Sequence, residues 1–306
     1  MNSPHPRCFC PSRAGDKRFV YKQRGMALVI VLWVIALLGA IAAGHASNVH
    51  SETMLAMQHV ESARARALAE AGIQRAILGL LLQNSEHEWP VNGALQQLNI
   101  DAHVVGVAVR DATGLVDLNA ADTGLLGALL AATGEETSQQ EKLVDAILDW
   151  RDADNLSHLH GAEDDDYRAI GFAWTARDAA FASVDELRYI IGMTARRFAK
   201  IAPYLTVYSG QSGLNLEYAP PFLISALTGQ TVDTASNEDG RPLSDNRSVD
   251  RTSARNGTYH IYSGVSGNGG VFASIEAVVN ISVAAERPFT ILYWREPARF
   301  HFPAKN

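Results

Sequence analysis

The chain has 306 residues, 47% of them hydrophobic and 19% charged, with a formal net charge of -7. That leaves room for an apolar anchor and one or two globular units, and the acidic balance disfavours a nucleic-acid partner. The two cysteines, Cys8 and Cys10, lie in the first ten residues, so they offer no disulfide to the rest; without further ligands nearby they are read as bystanders.

Residues 1–25 carry six bases (Arg7, Arg13, Lys17, Arg18, Lys22, Arg24) against one acid, Asp16, leaving 20 bases and 32 acids for everything after Gly25. Nineteen uncharged residues follow, Met26 to Gly44. As a helix they would rise ~28 Å, about the thickness of a bilayer's hydrocarbon core. One membrane span over 26–44 is predicted, with the basic flank cytoplasmic and the acidic body on the other side. Asn48 to Leu82 is dominated by Ala, Leu, Arg, Glu and Gln, and no proline interrupts the run from Met26 before Pro90, so one long helix is predicted over 26–82. Within it Ala67, Ala71, Leu78 and Leu81, flanked by Leu68, Ile73 and Ile77, recur at helical spacing as a face suited to a sheet.

Pro90 marks a stop, and His103 to Arg110 (HVVGVAVR) reads as a strand. From Leu115 the pattern turns helical. Asp122 or Asn119 is the expected cap of a helix through Leu125 to Ala132, and Gln139 to Trp150 is the next helix. In Ser183 to Leu205, Ser183 and Glu186 have the spacing of a capping box, and Gly192 separates two amphipathic runs. Thr206 to Tyr208 reads as a strand. The polar stretch 231–256 reads as a mobile surface loop. Tyr259 to Val265 and Val271 to Val283 form a hairpin about a glycine-rich turn, and Phe289 to Arg295 is a last strand.

The densest chemistry lies between Asp149 and Asp166, where seven carboxylates (Asp149, Asp152, Asp154, Glu163, Asp164, Asp165, Asp166) accompany one full positive charge, Arg151. Such crowding is repulsive unless solvent, bases or a cation relieves it. A solvated acidic loop is one reading. The other is a calcium site, since calcium takes six to eight oxygen ligands in flexible geometry. The offsets are not those of an EF-hand, and His158 with His160 falls short of a zinc set. No nucleophile elbow, zinc-protease motif or phosphate-cradling glycine loop occurs, so no enzyme is expected.

Two cleavage readings exist for the N-terminal segment: a small-x-small site within Ala40 to Ala46, which would free the body, and a cut between Gly25 and Met26, which would keep the apolar helix. Lys22, Gln23, Arg24, Gly25 and Met26, with the apolar run behind them, resemble a type IV pilin-like precursor. In that superfamily a membrane peptidase cuts after the glycine and the new terminal amine is methylated. Most members have glutamate at the fifth mature position, where it pairs with a neighbouring subunit's terminal amine; here that position is Ile30. A large pilin-like chain lacking the glutamate resembles the type II secretion minor pseudopilin K family. Trp150, Asp152, Asp154, Gly161, Ala162, Glu163, Asp164 and Tyr167 match the segment where that family's helical domain binds calcium. The resemblance also covers a weak repeat, Leu118 to Leu130 echoed by Leu216 to Leu227, and the closing Tyr293-Trp294-Arg295.

The resemblance implies an α+β fold: a pilin-like long N-terminal helix packed on an antiparallel sheet, with a large inserted all-α domain similar to SAM or helix-hairpin-helix units. Its expected parts are a basic leader (1–25), the long helix (26–82), a pilin-like α/β domain (83–114 and 206–306) and the insertion (115–205). Asp152, Asp154, Glu163 and Asp164 are the first calcium ligands it implies, with Asp165 and Asp166 as further candidates. It implies a non-enzymatic subunit at the tip of the secretion pseudopilus, supporting initiation of its assembly and export across the outer membrane. Expected partners are the I- and J-type minor pseudopilins, the major pseudopilin, the prepilin peptidase and the inner membrane, with the body periplasmic. Alternatives are a minor pilin of a type IV pilus, and a single-pass periplasmic helix-hairpin-helix nucleic-acid-binding protein using Arg196, Arg197 and Lys200.

Overall fold

The structure, a computed structural model, describes residues 26–82, 89–100, 103–228, 256–267 and 270–297. The leader, with Gly25 and both cysteines, and most of the polar stretch 231–256 lie outside the described residues. The chain divides into two compact units, residues 1–60 and 61–306. Helix α1 runs Met26–Leu81. In the first unit its Met26–Ala43 segment has a mean hydropathy of 2.8 and none of its residues is buried, Ile30 included. By length and composition this segment is sufficient to cross a membrane.

The second unit contains a five-stranded antiparallel sheet in the order β1-β2-β5-β6-β7, formed by β1 Asn92–Ile100, β2 His103–Asp111, β5 Gly257–Gly267, β6 Gly270–Ile281 and β7 Phe289–Arg295. The sequence reading did not anticipate β1. Its residues, NGALQQLNI, include one β-branched side chain, and they are held by pairing with β2 at the sheet's edge rather than by strand propensity. The β5–β6 hairpin closes with Gly267 opposite Gly270, at the expected turn.

The α1 residues Leu68, Ala69, Ile73, Ala76, Ile77 and Leu80 bury against Val105, Val107, Ile261, Ile275, Ala277 and Val279 of the sheet. This face overlaps the anticipated one in part: Leu68, Ile73 and Ile77 lie on it and Leu81 packs against it, whereas Ala67 and Leu78 are exposed and Ala71 is half-buried. The cause is Gly72. A Cβ there would strike Ser263 Oγ, Val107 and Val105, so the helix lies closest to the sheet where its side chains are smallest.

A second core forms from α2 Thr123–Ala132, α3 Thr137–Arg151, α4 Asp164–Ile170, α5 Ala195–Ile201 and α6 Pro221–Thr228. Its fully buried side chains include Leu118, Leu130, Leu143, Tyr167, Leu187 and Leu223. The parallel pair β3 Val116–Asp117 and β4 Leu205–Thr206 joins its two ends. The repeated segments meet, with α6 packing on α2. Asp122 caps α2, accepting from Leu125 N at 2.8 Å, while Asn119 binds the Phe181 backbone by both amide atoms, at 3.0 and 2.7 Å.

The Ser183–Glu186 capping box does not form. Val184–Tyr189 is a 3-10 helix whose Ser183 side chain makes no cap bond; Glu186 instead accepts from Ala182 N (3.2 Å) and Arg177. The tighter winding of a 3-10 turn shifts the offsets on which the α-helical box depends. Gly192, at φ +86°, turns the chain into α5, whose cap Thr194 accepts from Arg197 N.

Overpacking at the helix–sheet contact gives the first test. Gly72→Val should destabilise the folded unit by about 1–3 kcal/mol, and Ala67→Val should be near neutral, as read by thermal melting of the detergent-solubilised protein.

Candidate metal centre

Four segments bring the acidic residues together: the C-terminal end of α3, the connection 152–163, the start of α4, and Asp178. Trp150 and Tyr167 frame the site from the core side, their ring centroids 5.8 Å apart, and Trp150 also stacks on Phe181 at 6.3 Å. The anchor is Asp149, whose side chain is fully buried. Its Oδ1 accepts from His158 N (3.1 Å) and contacts His158 Nδ1, and its Oδ2 accepts from Ala162 N (2.7 Å). A Cβ on Gly161 would land on that carboxylate, which explains the glycine between His160 and Ala162.

Around this anchor the predicted ligands separate into groups. Asp152 caps the end of α3, and its Oδ1 is buried without a hydrogen-bond partner. Both carboxylate oxygens of Glu163 are likewise buried and unpartnered, as is Asp164 Oδ1. Asp154 is exposed and accepts from Leu156 N at 3.0 Å. Asp165 projects outward, its side chain 98% exposed, to pair with Arg168, which also holds Asp164 Oδ2 at 2.6 Å. Asp166 is turned back onto the chain, where its Oδ2 accepts from Glu163 N at 3.0 Å.

Two further carboxylates belong to the arrangement. Asp149 sits with Asp152 and His158 in a group whose ligand-type atoms lie within 4.8 Å of one another. Asp178 adds another buried unpartnered oxygen from a residue at φ +53° and acts electrostatically on Glu163. Asp178 stands twelve positions past the acidic run, and no motif in the sequence marks it; its positive φ is a property of the folded chain alone.

The electrostatics follow from this crowding. Burial, and then the charges of Asp149, Asp152, Asp178 and Asp154, push the Glu163 carboxyl up to about 7. Burial also raises Asp152, helped by Asp154 and Asp149. The hydrogen bond to Asp149 raises His158. Buried carboxylate oxygens with no donor are costly, and a hard divalent cation is the ligand that relieves several at once. The donor set fits calcium better than zinc, because it is nearly all carboxylate; His158 is engaged by Asp149, and His160 lies against Asp145.

A long helix on an antiparallel sheet, with a helical second core carrying an acidic loop, defines a pilin-like α+β protein. A family model described as "Type II secretion system (T2SS), protein K" matches residues 96–210. The type II secretion system protein K of Pectobacterium carotovorum is 26% identical over 207 residues, 60% of this chain and 62% of the relative, and that of Klebsiella pneumoniae is 25% identical over 215 residues, 63% and 65%. The chain thus spans somewhat under two thirds of the length of these relatives. A chain from the crystal structure of the GspK-GspI-GspJ complex of enterotoxigenic Escherichia coli shares the fold, with a TM-score of 0.52 and 18% identity, over 82% of this chain and 99% of that one. Over the matched stretches the chain is similar to the type II secretion system protein K family, and it shares the fold of the GspK-GspI-GspJ relative.

Glu163 supplies a pH test. Its carboxyl is raised above the unfolded value of about 4.5, so in the absence of a cation its ionisation costs nothing below that pH and destabilises progressively as pH rises through about 7. In chelator, Glu163→Gln should therefore melt higher than the parent at pH 7.5, with the gain vanishing by pH 4.5. Gly161→Ala should cost about 1–3 kcal/mol at either pH, because its methyl group displaces Asp149.

Proposed function

We propose that the protein is a minor pseudopilin at the tip of the type II secretion pseudopilus, where it supports initiation of pseudopilus assembly and export across the outer membrane. The observation that carries this reading is a pilin-like chain, similar to the protein K family, whose apolar helix has Ile30 where the usual carboxylate would stand. A subunit without that carboxylate cannot reach for the terminal amine of a subunit ahead of it, which suits the leading position. The processing cut falls between Gly25 and Met26 with methylation of the new amine, and Met26–Ala43 anchors the protein in the inner membrane, its N-terminus cytoplasmic and its body periplasmic. I- and J-type minor pseudopilins are its partners in the tip complex, as in the complex named for the fold relative. Its work is structural rather than enzymatic.

Calcium belongs to this reading as a stabiliser of the helical core. Asp152, Glu163, Asp164 and Asp178 would hold it through their unpartnered oxygens, with Asp154 adding charge and Asp149 fixing the loop. Bound calcium supplies the positive charge that lets these carboxylates ionise together. The nucleic-acid alternative loses support because two of its three cations are engaged internally: Arg197 pairs with Glu135 at 2.8 Å and Lys200 donates to Thr133 O at 2.7 Å.

Deletion of the gene should abolish export of secreted proteins while type IV pili still assemble; the converse result would favour the pilus reading. Intact mass of the membrane form should correspond to a chain starting at Met26 plus one methyl group, whereas a soluble product starting near Ser47 would refute retention of the anchor. Millimolar calcium should raise the melting temperature over chelator by roughly 5 °C or more, and Asp152→Asn with Glu163→Gln should remove the response.

A further inference from the structure

Beyond the acidic site, the structure buries an imidazole where the helical core meets the sheet. His260 on β5 is 5% exposed, and its Nε2 lies 3.0 Å from Thr206 Oγ1 on β4. Thr206 ties that contact into the helical core: its hydroxyl accepts from Tyr208 N at 3.2 Å, and its backbone carbonyl accepts from Leu118 N at 2.9 Å. The other ring nitrogen, Nδ1, is buried with no partner.

The surroundings accept the neutral ring and oppose the charged one. From β2, the adjacent strand, Arg110 presents a partly buried guanidinium whose Nη1 also lacks a partner. Tyr208 packs edge-on against the ring at 6.1 Å, and Tyr262 on β5 stacks at 6.4 Å. Tyr204 faces Arg110 electrostatically. The nearby carboxylate on β6, Glu276, is engaged by Arg295 at 2.6 Å and by the Tyr262 hydroxyl. An imidazolium would therefore carry an Nδ1–H with no acceptor beside an existing cation.

We propose that His260 is an acid-labile latch: its protonation places an Nδ1–H without an acceptor beside the Arg110 guanidinium and loosens the seating of the helical core on the sheet. Burial first, and Arg110 second, push the ring down to about 4 from an ordinary value near 6.5. A base with a depressed folded pKa contributes stability that is complete above its unfolded value and is lost as pH falls through the window from about 6.5 to 4. This is opposite in sign to the Glu163 effect, so the two separate cleanly in a Glu163→Gln background.

The test is amide hydrogen exchange of the full chain in detergent, in that background, at pH 7.5 and pH 5 with rates normalised for intrinsic exchange. Protection of residues 203–208 and 257–263 should fall by roughly 30-fold on acidification. His260→Gln should show at most about a third-of-a-decade change over the same interval. A parent that keeps its protection at pH 5, or a His260→Gln protein that loses it as the parent does, overturns the latch. If His260→Gln is unprotected already at pH 7.5, Arg110→Met decides: removing the opposing cation should shrink the fall, and an unchanged fall overturns the proposal. Because neither calcium nor partner subunits enter the measurement, its failure leaves the tip assignment standing.

Discussion

The helical core depends on one buried carboxylate. Asp149 is fully enclosed, and its three contacts, from the His158 amide, the His158 ring and the Ala162 amide, fold the connection between α3 and α4 back over the end of α3. Burying an ion without such donors would cost several kcal/mol, so these bonds are a condition for the fold rather than an addition to it. The consequence is that other acids are drawn inward with it. Glu163 and Asp152 come to rest with buried oxygens that no donor among the described residues reaches.

The sheet side is governed by a steric constraint instead. Gly72 lets α1 descend onto Val105, Val107 and Ser263, and Ala69 and Ala76 continue that close line. Close packing of this kind is sensitive to single methyl groups. The two cores are then joined by polar contacts. Arg295 at the end of β7 reaches Glu276 on the sheet and Asp185 in the helical part, at 2.6 and 2.9 Å, while Thr206 meets His260 in the buried seam. A seam made of hydrogen bonds and charges responds to pH in a way that a purely apolar one does not.

Where sequence reasoning succeeded, the signal was local and repeated. Nineteen uncharged residues, the valines of β2, the glycines of the β5–β6 turn and the Asp122 cap each announce themselves within a few positions. It missed where the decision was made by a distant neighbour. β1 is a strand because β2 offers it an edge, and Ser183 is denied its capping role because the chain there winds as a 3-10 helix. On α1 the expected stripe lies partly off the packed face, with Ala67 and Leu78 exposed, because the close approach at Gly72 sets which side meets the sheet.

The acidic site divides along the same line. Composition and spacing alone determined that carboxylates crowd between Asp149 and Asp166, that the N-terminal helix is greasy enough to enter a bilayer, and that charge falls unevenly about it, since these properties need no knowledge of neighbours. Tertiary structure decided which carboxylates face inward, turning Asp165 to solvent and Asp166 onto a backbone amide while bringing in Asp178 from beyond the run. The physical reason is that burial and hydrogen-bond supply are properties of a three-dimensional surrounding: a carboxylate's charge is written in the chain, but the donors that satisfy it or leave it wanting are placed only when the chain folds.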